Sequence, residues 1–590
     1  MPYLLVGLQR PKIGVDTVSA NLGAPVRQVW WGSGGLLRRK VAPQAGWILI
    51  VLVVGFGVLW PILQLQWRAF ADGGAAFGRM AELRRIGDTI RTTVVLALVS
   101  SVMAVVLGTL LAWCASLLPE RVRKIGEMAP LLPLIVPAVA AVTGWIFLLS
   151  PKVGYLNIAL RSLPFLSSLE EGPFDIYTVT WIVLITGLLL SSFVYVFVFT
   201  GLKNMGQELE SAAAACGASP VRRWFTITLP LLRPSIISAS GMVFLLGMGQ
   251  FTAPLLLGRS TGIDVLTTEM FHLTLKYPID FGLGAALGFP ILVAGIVVVV
   301  LQKWALGEQR RFVVVSARAK YDSRETRWWA AAVIGIYLLI TTVLPLLALI
   351  YVSLSPFWSG SINFSELTLR HWKSVLGNQE LVNAVWTSVK VSVIAIAVLI
   401  PLGFAMAFAL LQSTRILRPI RIAIDFLATL PIAVPASLMG FGLLFAYSQP
   451  PIQIYGTTLV IIVTYITLMV GHSTRLQFTT LVATGQEFLE ASRACGAGPL
   501  RSLLQVLLPM CRKGIGATAA LTFVLLFHEF SASLMVRSAR TQVIGSVMYD
   551  VWAGGVYAEV AVLALIMVVM TVIGVLIAVW VGGTDSLKKA

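Results

Sequence analysis

Long apolar stretches separated by short polar segments run along the whole chain. Twelve of them approach the roughly 20 residues that a helix needs to cross a membrane, and none shows the period-two alternation of a strand. This pattern predicts an all-α integral membrane protein with about 12 transmembrane helices. The predicted helices lie at residues 47–65, 93–118, 131–149, 176–199, 236–257, 283–301, 329–351, 385–411, 422–447, 457–470, 515–536 and 560–581.

The distribution of charge indicates how these helices are oriented. The net charge of +18 would suit a nucleic-acid partner, but its placement favours another explanation. With the N-terminus in the cytoplasm, the inner segments hold 30 of the 44 Lys and Arg residues and 11 of the 26 acidic residues, whereas the outer loops hold 13 of each. The excess of basic over acidic residues in the inner segments follows the positive-inside rule. We therefore expect both termini in the cytoplasm and no nucleic-acid partner.

Two polar loops repeat the same residues at a constant spacing. The loops after the fourth and tenth predicted helices share Gly-Gln-Glu, Ala-Cys-Gly-Ala and Leu-Pro at an offset of 279, with their central glycines at Gly217 and Gly496. The third and ninth helices share Leu-Pro-x-x-Val-Pro-Ala at an offset of 298, beginning at Leu132 and Leu430. The chain is therefore predicted to be a tandem repeat of two six-helix halves. Because six is an even number, the halves should lie parallel, related by a pseudo-twofold axis along the membrane normal.

The repeat also predicts the domain boundaries. We expect a cytoplasmic N-terminal segment at 1–45, without a cleaved signal peptide, and a first transmembrane half at 46–302. A basic cytoplasmic linker at 303–327, a second transmembrane half at 328–582 and a cytoplasmic tail at 583–590 follow. Each repeated loop should form a short helix, a break at the glycine and a second short helix. In the first loop we expect Ser219 to cap the second helix and Pro220 to begin it.

The two loops resemble the Glu-Ala-Ala (EAA) loop in permeases of binding-protein-dependent ABC importers. In that pattern Glu-Ala-Ala is followed by three residues, Gly, nine residues, Ile, one residue and Leu-Pro. The second loop fits this spacing with Glu490, Ala491, Ser492, Gly496, Val506, Leu508 and Pro509. The first loop fits with Ala212, Ala213, Gly217, Ile227, Leu229 and Pro230. In the first loop, Ser211 stands at the acidic position and Glu210 lies one residue earlier. A shift of one residue turns a side chain by about 100° around a helix. If each loop binds a partner protein, the two binding sites should therefore differ in strength.

The resemblance implies the type I ABC importer permease fold and a set of partners. A coupling helix in each loop, near 217–225 and 496–504, would fit a groove of a cytoplasmic ATPase, with two ATPase copies for the two loops. The chain has no Gly-x-x-x-x-Gly-Lys-Ser/Thr phosphate loop. We therefore expect ATP to bind the partner subunits and no cofactor in this chain. The four histidines, His272, His371, His472 and His528, are dispersed without metal-ligand spacing to carboxylates or cysteines, so we also expect no metal site and no enzymatic activity. The resemblance also implies an extracytoplasmic solute-binding protein and a location in the lipid bilayer of a bacterial inner membrane.

One acidic residue lies deep in a predicted helix and is a candidate for the translocation pathway. Glu529 maps onto Gln250 through the offset of 279, so the pseudo-twofold axis relates the two polar side chains. They could face each other across a central passage, or Glu529 could pair with His528 or a neighbouring helix and serve packing alone.

The sequence around Glu529 and the fused halves resemble most the ferric-iron branch of these importers. Polyamine, aminophosphonate and thiamine importers remain alternatives. A secondary transporter with two parallel six-helix halves, driven by an ion gradient, would explain the helix count and the repeat. It would not explain the paired loops.

Overall fold

The computed structural model describes residues 44–205, 208–258, 260–306, 327–360, 362–412, 416–485 and 487–582. The chain divides into two units, residues 1–46 and residues 47–590. The features described below lie in the second unit, except that the first helix begins two residues earlier, at Ala45. Most of the predicted N-terminal segment, most of the linker and the whole tail lie outside the described residues. Their predicted boundaries and cytoplasmic location stay predictions.

Among the described residues, nine helices are long and apolar enough to cross a membrane, and three bent helix pairs pass the same test as pairs. Counting each pair as one span gives 12, as the hydrophobic pattern predicts. The nine helices are Ala45–Phe70, Ile86–Ser116, Val179–Lys203, Phe281–Gln302, Trp328–Leu354, Gln379–Leu411, Thr458–Thr484, Leu503–Phe527 and Tyr557–Val581. The bent pairs are Glu120–Leu134 with Ala138–Leu149, Pro220–Leu231 with Arg233–Met248, and Arg418–Ala433 with Ala436–Ser448.

The third and ninth predicted helices, 131–149 and 422–447, are not single straight helices. Each bends sharply, by 89° in the first half and 108° in the second. Both bends fall at the Val-Pro step of the repeated sequence, and Pro137 and Pro435 each precede the helix that follows with an extended ψ, 135° and 142°. A proline lacks an N–H and disfavours the helical conformation of the residue before it, so the helix stops at this step. The prediction of continuous helices here is wrong.

The fifth and eleventh predicted helices, 236–257 and 515–536, are also broken. Helix Arg233–Met248 ends before Gly249, Gln250 and Phe251, which we call break 1, and the chain becomes helical again at Thr252–Gly258. Helix Leu508–Phe527 ends before His528, Glu529 and Phe530, which we call break 2, and the chain becomes helical again at Ser531–Val536. The continuous helices predicted here are likewise wrong. Both candidate pathway residues lie inside the breaks.

The tenth helix is longer than its apolar stretch at 457–470. It runs over Thr458–Thr484, because its polar second half is buried against the eighth helix. Ser473 Oγ donates a hydrogen bond to Leu399 O at 3.0 Å, and Gln477 Nε2 donates one to Ile400 O at 3.0 Å. Buried polar side chains therefore join the two helices where a hydropathy pattern alone would end the span.

Shorter helices connect the spans. On the side of the predicted outer loops lie Ala75–Glu82, Tyr155–Arg161, Leu266–Thr274, Arg370–Gly377 and Ile544–Ala553, with 3₁₀ turns at Ala71–Gly74 and Phe364–Glu366. On the opposite side, the repeated loops contain Glu208–Ala215, Pro220–Arg223, Leu229–Leu231, Glu487–Ala494 and Pro499–Ser502.

The two halves share one hydrophobic core. A single cluster of buried side chains includes Phe147 and Phe271 from the first half and Phe441 and Phe530 from the second. Glycines allow the closest approaches, since a Cβ added at Gly284 would lie 2.2 Å from Phe441 Cζ. The halves are thus packed against each other through this cluster.

Candidate functional site

Both repeated loops turn at their glycines with the same geometry. We call them loop 1 (residues 208–230) and loop 2 (residues 487–509). In each loop the glycine N–H donates to the carbonyl three residues back at 2.9 Å, and the N–H of the next alanine donates to the carbonyl five residues back at 3.0 or 3.1 Å. Gly217 and Gly496 have φ values of +81° and +83°, a left-handed conformation that favours glycine. The predicted glycine breaks are confirmed.

A second short helix follows each turn. In loop 1, Ser219 Oγ accepts a hydrogen bond from the Arg222 N–H at 3.4 Å, and Pro220 begins the helix, as predicted. In loop 2 the corresponding helix begins at Pro499. Each helix then widens into a π-helical turn, at Trp224–Thr228 and Leu503–Leu507. The offset of 279 relates these turns residue for residue, so the repeat extends to the detailed backbone conformation.

The residues at the Glu-Ala-Ala positions lie on the first short helix of each loop. Glu490 is in the first turn of helix Glu487–Ala494, and Glu490 and Ala491 are both exposed. Ser211 and Ala212 are exposed on helix Glu208–Ala215, and Ala213 is half-buried. Glu210 belongs to the same helix, and its side chain lies outside the described part of the structure.

One hydrogen bond distinguishes the two loops. Ser492 Oγ donates to Ser502 Oγ at 2.8 Å, which joins the two short helices of loop 2. The equivalent positions in loop 1 are Ala213 and Arg223, and an alanine cannot make this bond. Loop 2, which follows the family pattern more closely, therefore has a Ser–Ser hydrogen bond between its helices that the residues at these positions of loop 1 cannot form.

Each loop exposes two apolar side chains at equivalent positions. Leu209 and Phe488, on the first short helices, are each 49% exposed. Phe225 and Leu504, beside the second helices, are 60% and 51% exposed. Large apolar side chains exposed on a polar segment favour a protein contact. The two loops therefore present exposed apolar side chains at matching positions.

The Leu-Pro step ends each loop by starting the next span. Leu229 and Pro230 begin the short helix that leads into Arg233–Met248, and Leu508 and Pro509 begin helix Leu508–Phe527. Each proline stands in the first turn, where its missing N–H breaks no helical hydrogen bond. Each loop is thus joined through its Leu-Pro step to one of the two broken helices.

Glu529 caps the short helix that follows break 2. Its carboxylate accepts hydrogen bonds from the Ala532 and Ser533 N–H groups, both at 2.7 Å, and from Ser533 Oγ at 2.5 Å. The side chain is 9% exposed. His528 Nε2 instead hydrogen-bonds to Thr571 Oγ1 on the last span. The carboxylate therefore satisfies N–H groups that the break would leave unpaired.

The two breaks meet at the pseudo-twofold axis. Phe251 and Phe530, which the offset of 279 relates, pack with ring centroids 5.9 Å apart. Gln250, the equivalent of Glu529, precedes Phe251 and is half-buried, and its carbonyl accepts a hydrogen bond from Thr267 Oγ1 at 2.5 Å. The structure thus brings the two breaks together through their aromatic residues.

A second pair of equivalent aromatic residues lies beside the breaks. Phe271 and Tyr549, on the helices Leu266–Thr274 and Ile544–Ala553, have ring centroids 5.4 Å apart and perpendicular ring planes. Phe251, Phe271, Phe530 and Tyr549 are all buried, and we call them the axial aromatic cluster. It closes the axis between the halves in this conformation.

Matching hydrogen bonds hold the two helices that carry Phe271 and Tyr549. The Leu266 N–H donates to Thr93 Oγ1 at 3.0 Å, and the Ile544 N–H donates to Ser388 Oγ at 2.8 Å. Sequence reasoning missed this part of the repeat, because the two helices share few residue identities. Its signal was a short match at an offset of 278, in which Val265, Met270 and Phe271 correspond to Val543, Met548 and Tyr549.

Known proteins share this architecture. The family described as binding-protein-dependent transport system inner membrane component matches residues 44–307 and 399–583, which is more than half of the chain. The chain belongs to this family. It is therefore an ABC importer permease with two fused halves, and the predicted all-α fold of two parallel repeats is confirmed at the level of the family.

Individual relatives are distant. The ferric transport system permease protein FbpB of Actinobacillus pleuropneumoniae is 21% identical over 560 residues, which cover 92% of this permease and 78% of that protein. A Salmonella choleraesuis protein, PhnV, provisionally named a 2-aminoethylphosphonate transport system permease, is 25% identical over 265 residues, 43% of this permease and 95% of that protein. A chain from a bacterial ABC transporter involved in alginate import aligns with 47% of this permease and 98% of that chain, at 20% identity and a TM-score of 0.39.

Proposed function

We propose that this permease carries ferric iron into the cytoplasm for an ATP-driven importer, with separate ATPase subunits docked at loops 1 and 2. The observation that carries the proposal is the geometric equivalence of the two loops. Each has the same glycine turn, the same π-helical turn and a pair of exposed apolar side chains at equivalent positions. Two equivalent docking surfaces on one chain suit two identical partners.

The loops also supply a route for the energy of ATP hydrolysis. Each ends at a Leu-Pro step that begins the helix leading to a break, and the two breaks touch through Phe251 and Phe530. Closure of the ATPase dimer would move both loops, and the helices would carry that movement to the axial aromatic cluster. ATP binds the partner subunits in this scheme, and the permease itself performs no chemistry.

The orientation follows from the even number of spans per half. Both loops and both termini would then lie on one side of the membrane, and the excess of Lys and Arg in those segments supports the cytoplasm as that side. The helices Leu266–Thr274 and Ile544–Ala553 lie on the other side. A solute-binding protein would deliver the cargo on that side, because transport systems of this family depend on a binding protein.

Ferric iron is the preferred cargo because of the relative that spans both halves. The ferric transport permease of Actinobacillus pleuropneumoniae aligns with 92% of this chain, whereas the aminophosphonate relative aligns with 43%. Aminophosphonate transport remains a second candidate on the strength of that partial similarity. The breaks contain both a carboxylate and an amide, but these side chains do not decide between the two cargoes.

The proposal is tested by reconstituting the permease in vesicles with its ATPase and binding protein. Uptake of radioactive iron delivered by the binding protein should require ATP and should continue when a protonophore collapses the proton gradient. Uptake that stops with the protonophore and ignores ATP would contradict the importer mechanism and favour a secondary transporter. ATP-dependent uptake of 2-aminoethylphosphonate without uptake of iron would contradict the cargo alone.

A further inference from the structure

Three potential metal ligands converge beside the axial aromatic cluster. Asp264, Glu269 and His272 each offer a ligand atom, and these atoms all lie within 4.8 Å of one another. Asp264 Oδ1 is 3.8 Å from His272 Nδ1. These two side chains are 27% and 31% exposed, so an ion could reach the group from solvent while protein still surrounds much of it.

The local structure explains why the three side chains meet. Glu269 and His272 are three residues apart on helix Leu266–Thr274, a spacing that puts both on one face. The same Glu-x-x-His arrangement binds metal ions in helical carboxylate proteins. Asp264 precedes the helix, and the Thr268 hydroxyl donates to Asp264 Oδ1 at 3.3 Å, which holds the carboxylate near the first turn.

The alternative explanation is that the two acids simply stabilise the start of a helix. The second half provides a control within the same molecule. Helix Ile544–Ala553 begins with the same backbone arrangement, in which Ser546 plays the part of Thr268. Its residues at the positions of Asp264, Glu269 and His272 are Gln542, Val547 and Asp550. The fold therefore forms this helix without the three ligands.

The second half replaces the group with an internal ion pair. Asp550, the equivalent of His272, accepts a hydrogen bond from Arg537 Nη1 at 2.6 Å, which neutralises its charge. In the first half, the carboxylates of Asp264 and Glu269 lie close enough to act on each other, beside the His272 imidazole and within reach of the Lys276 charge. Two such carboxylates repel each other, and a cation between them would convert that repulsion into attraction.

The group is connected to the passage. His272 follows Phe271, whose ring contacts Tyr549 at the axis. Thr267, on the same helix, hydrogen-bonds to the carbonyl of Gln250 in break 1. An ion held by the three ligands would thus lie on the outer side of the cluster that closes the axis.

We propose that Asp264, Glu269 and His272 form a metal site that receives ferric iron at the outer mouth of the passage. Two carboxylates and one imidazole suit a hard or borderline transition-metal ion, and three protein ligands leave coordination positions free. Such an incomplete site suits an ion that must arrive from a donor and leave again. The identity of the ion rests on the proposed iron import, whereas the site itself rests on the geometry.

The site is tested on the purified full-length permease without its partners. Ferric iron is added as its nitrilotriacetate complex, excess iron is removed by desalting, and the retained iron is counted by elemental analysis. We expect the wild type to retain one more iron per chain than the triple variant D264N/E269Q/H272Q. Loss of the ligands should weaken affinity by at least about tenfold, the loss that removal of a supporting residue alone already causes. The variant H272Q alone should show a partial loss.

A matched control removes two carboxylates on the same side of the membrane. The variant E170Q/E171Q changes exposed loop residues and should retain as much iron as the wild type. Equal retention by the wild type, the triple variant and this control would overturn the proposed site.

Uptake measurements separate the site from the proposed cargo. We expect the triple variant to import iron more slowly than the wild type at low iron concentration. Site-specific retention by a protein that imports no iron would contradict the proposed function alone. Normal import without site-specific retention would contradict the site alone.

Discussion

Phe251 and Phe530 occupy equivalent positions in the two halves, and their rings pack against each other with centroids 5.9 Å apart and planes tilted by 43°. Residues related by a pseudo-twofold axis can touch only where that axis passes between them. The contact therefore locates the axis at the two helix breaks. Phe271 and Tyr549 make the same kind of contact, so the axis is closed by two pairs of rings.

Joining the two breaks covalently should stop transport. In a background with the four native cysteines replaced by serine, F251C/F530C treated with a short bifunctional thiol reagent should lose nearly all uptake, because cargo must pass between the halves. Cross-linking is scored with a protease site placed in the linker at 303–327, since joined halves stay together after cleavage. F251C alone is the control. Full uptake by the cross-linked protein would show that cargo does not follow the axis.

Replacing Glu529 should reveal whether its carboxylate has more than a structural role. E529Q removes the charge and leaves a single amide oxygen to accept from the two backbone N–H groups of helix Ser531–Val536, whereas complete loss of such a cap costs about 0.5–2 kcal/mol of stability. We expect reduced uptake with normal assembly, measured by transport and by size-exclusion chromatography. Thermal unfolding is recorded in parallel. Unchanged uptake would exclude Glu529 from the pathway.

The turn of loop 2 should require glycine at one position and tolerate alanine two residues later. In G496A the new Cβ meets no atom within 4 Å, but φ is +83°, so the strain is purely conformational and costs about 1–2 kcal/mol. Gly498 has equal space and no positive φ, and G498A should behave as the wild type. Co-purification of the ATPase should fall in G496A only. Equal binding by both variants would argue against the turn as part of the docking site.

The exposed apolar residues should contribute to docking in both loops. F225S and L504S each remove a large side chain that is more than half exposed, so the folded permease should keep its stability. The ATPase affinity should fall in each variant, which a binding titration in detergent measures. We expect the larger fall for L504S, because loop 2 carries Glu490 and the Ser492–Ser502 hydrogen bond. Equal losses of affinity in the two variants would mean that the position of Glu210, one residue before the acidic position, does not weaken ATPase binding at loop 1.

Gly249 should be intolerant of any side chain. A Cβ there would lie 2.6 Å from Pro435 Cβ, so G249A should destabilise the permease by about 1–3 kcal/mol through overpacking between the halves. The control is G335A, where no atom lies within 4 Å and the residue is helical, so stability should be equal or higher. Thermal unfolding in detergent compares them. A G249A protein as stable as G335A would mean that the two halves separate readily at this contact.

The sequence contained a signal for some of the broken helices and not for others. The bends at 137 and 435 follow from the Val-Pro step, which is present in the repeated sequence but lies within a continuous apolar run that by itself predicts one straight helix. The breaks at Gln250 and Glu529 have no proline. Mean hydropathy does not distinguish a straight helix from a broken one. A break can lie within an apolar segment when it is buried in protein and its N–H groups find other partners. In the second half, Glu529 accepts hydrogen bonds from the two N–H groups that follow the break.

The sequence by itself determined the number of apolar segments, the repeat and the loops at Gly217 and Gly496, because these features depend on local composition and on spacing along the chain. Only the tertiary structure decided that Phe251 meets Phe530 and that Asp264, Glu269 and His272 converge. Contacts between residues 279 positions apart depend on how two halves pack, and no periodicity along the chain records that packing. The three ligands converge because a loop residue folds back onto a helix face, a geometry that spacing alone leaves open.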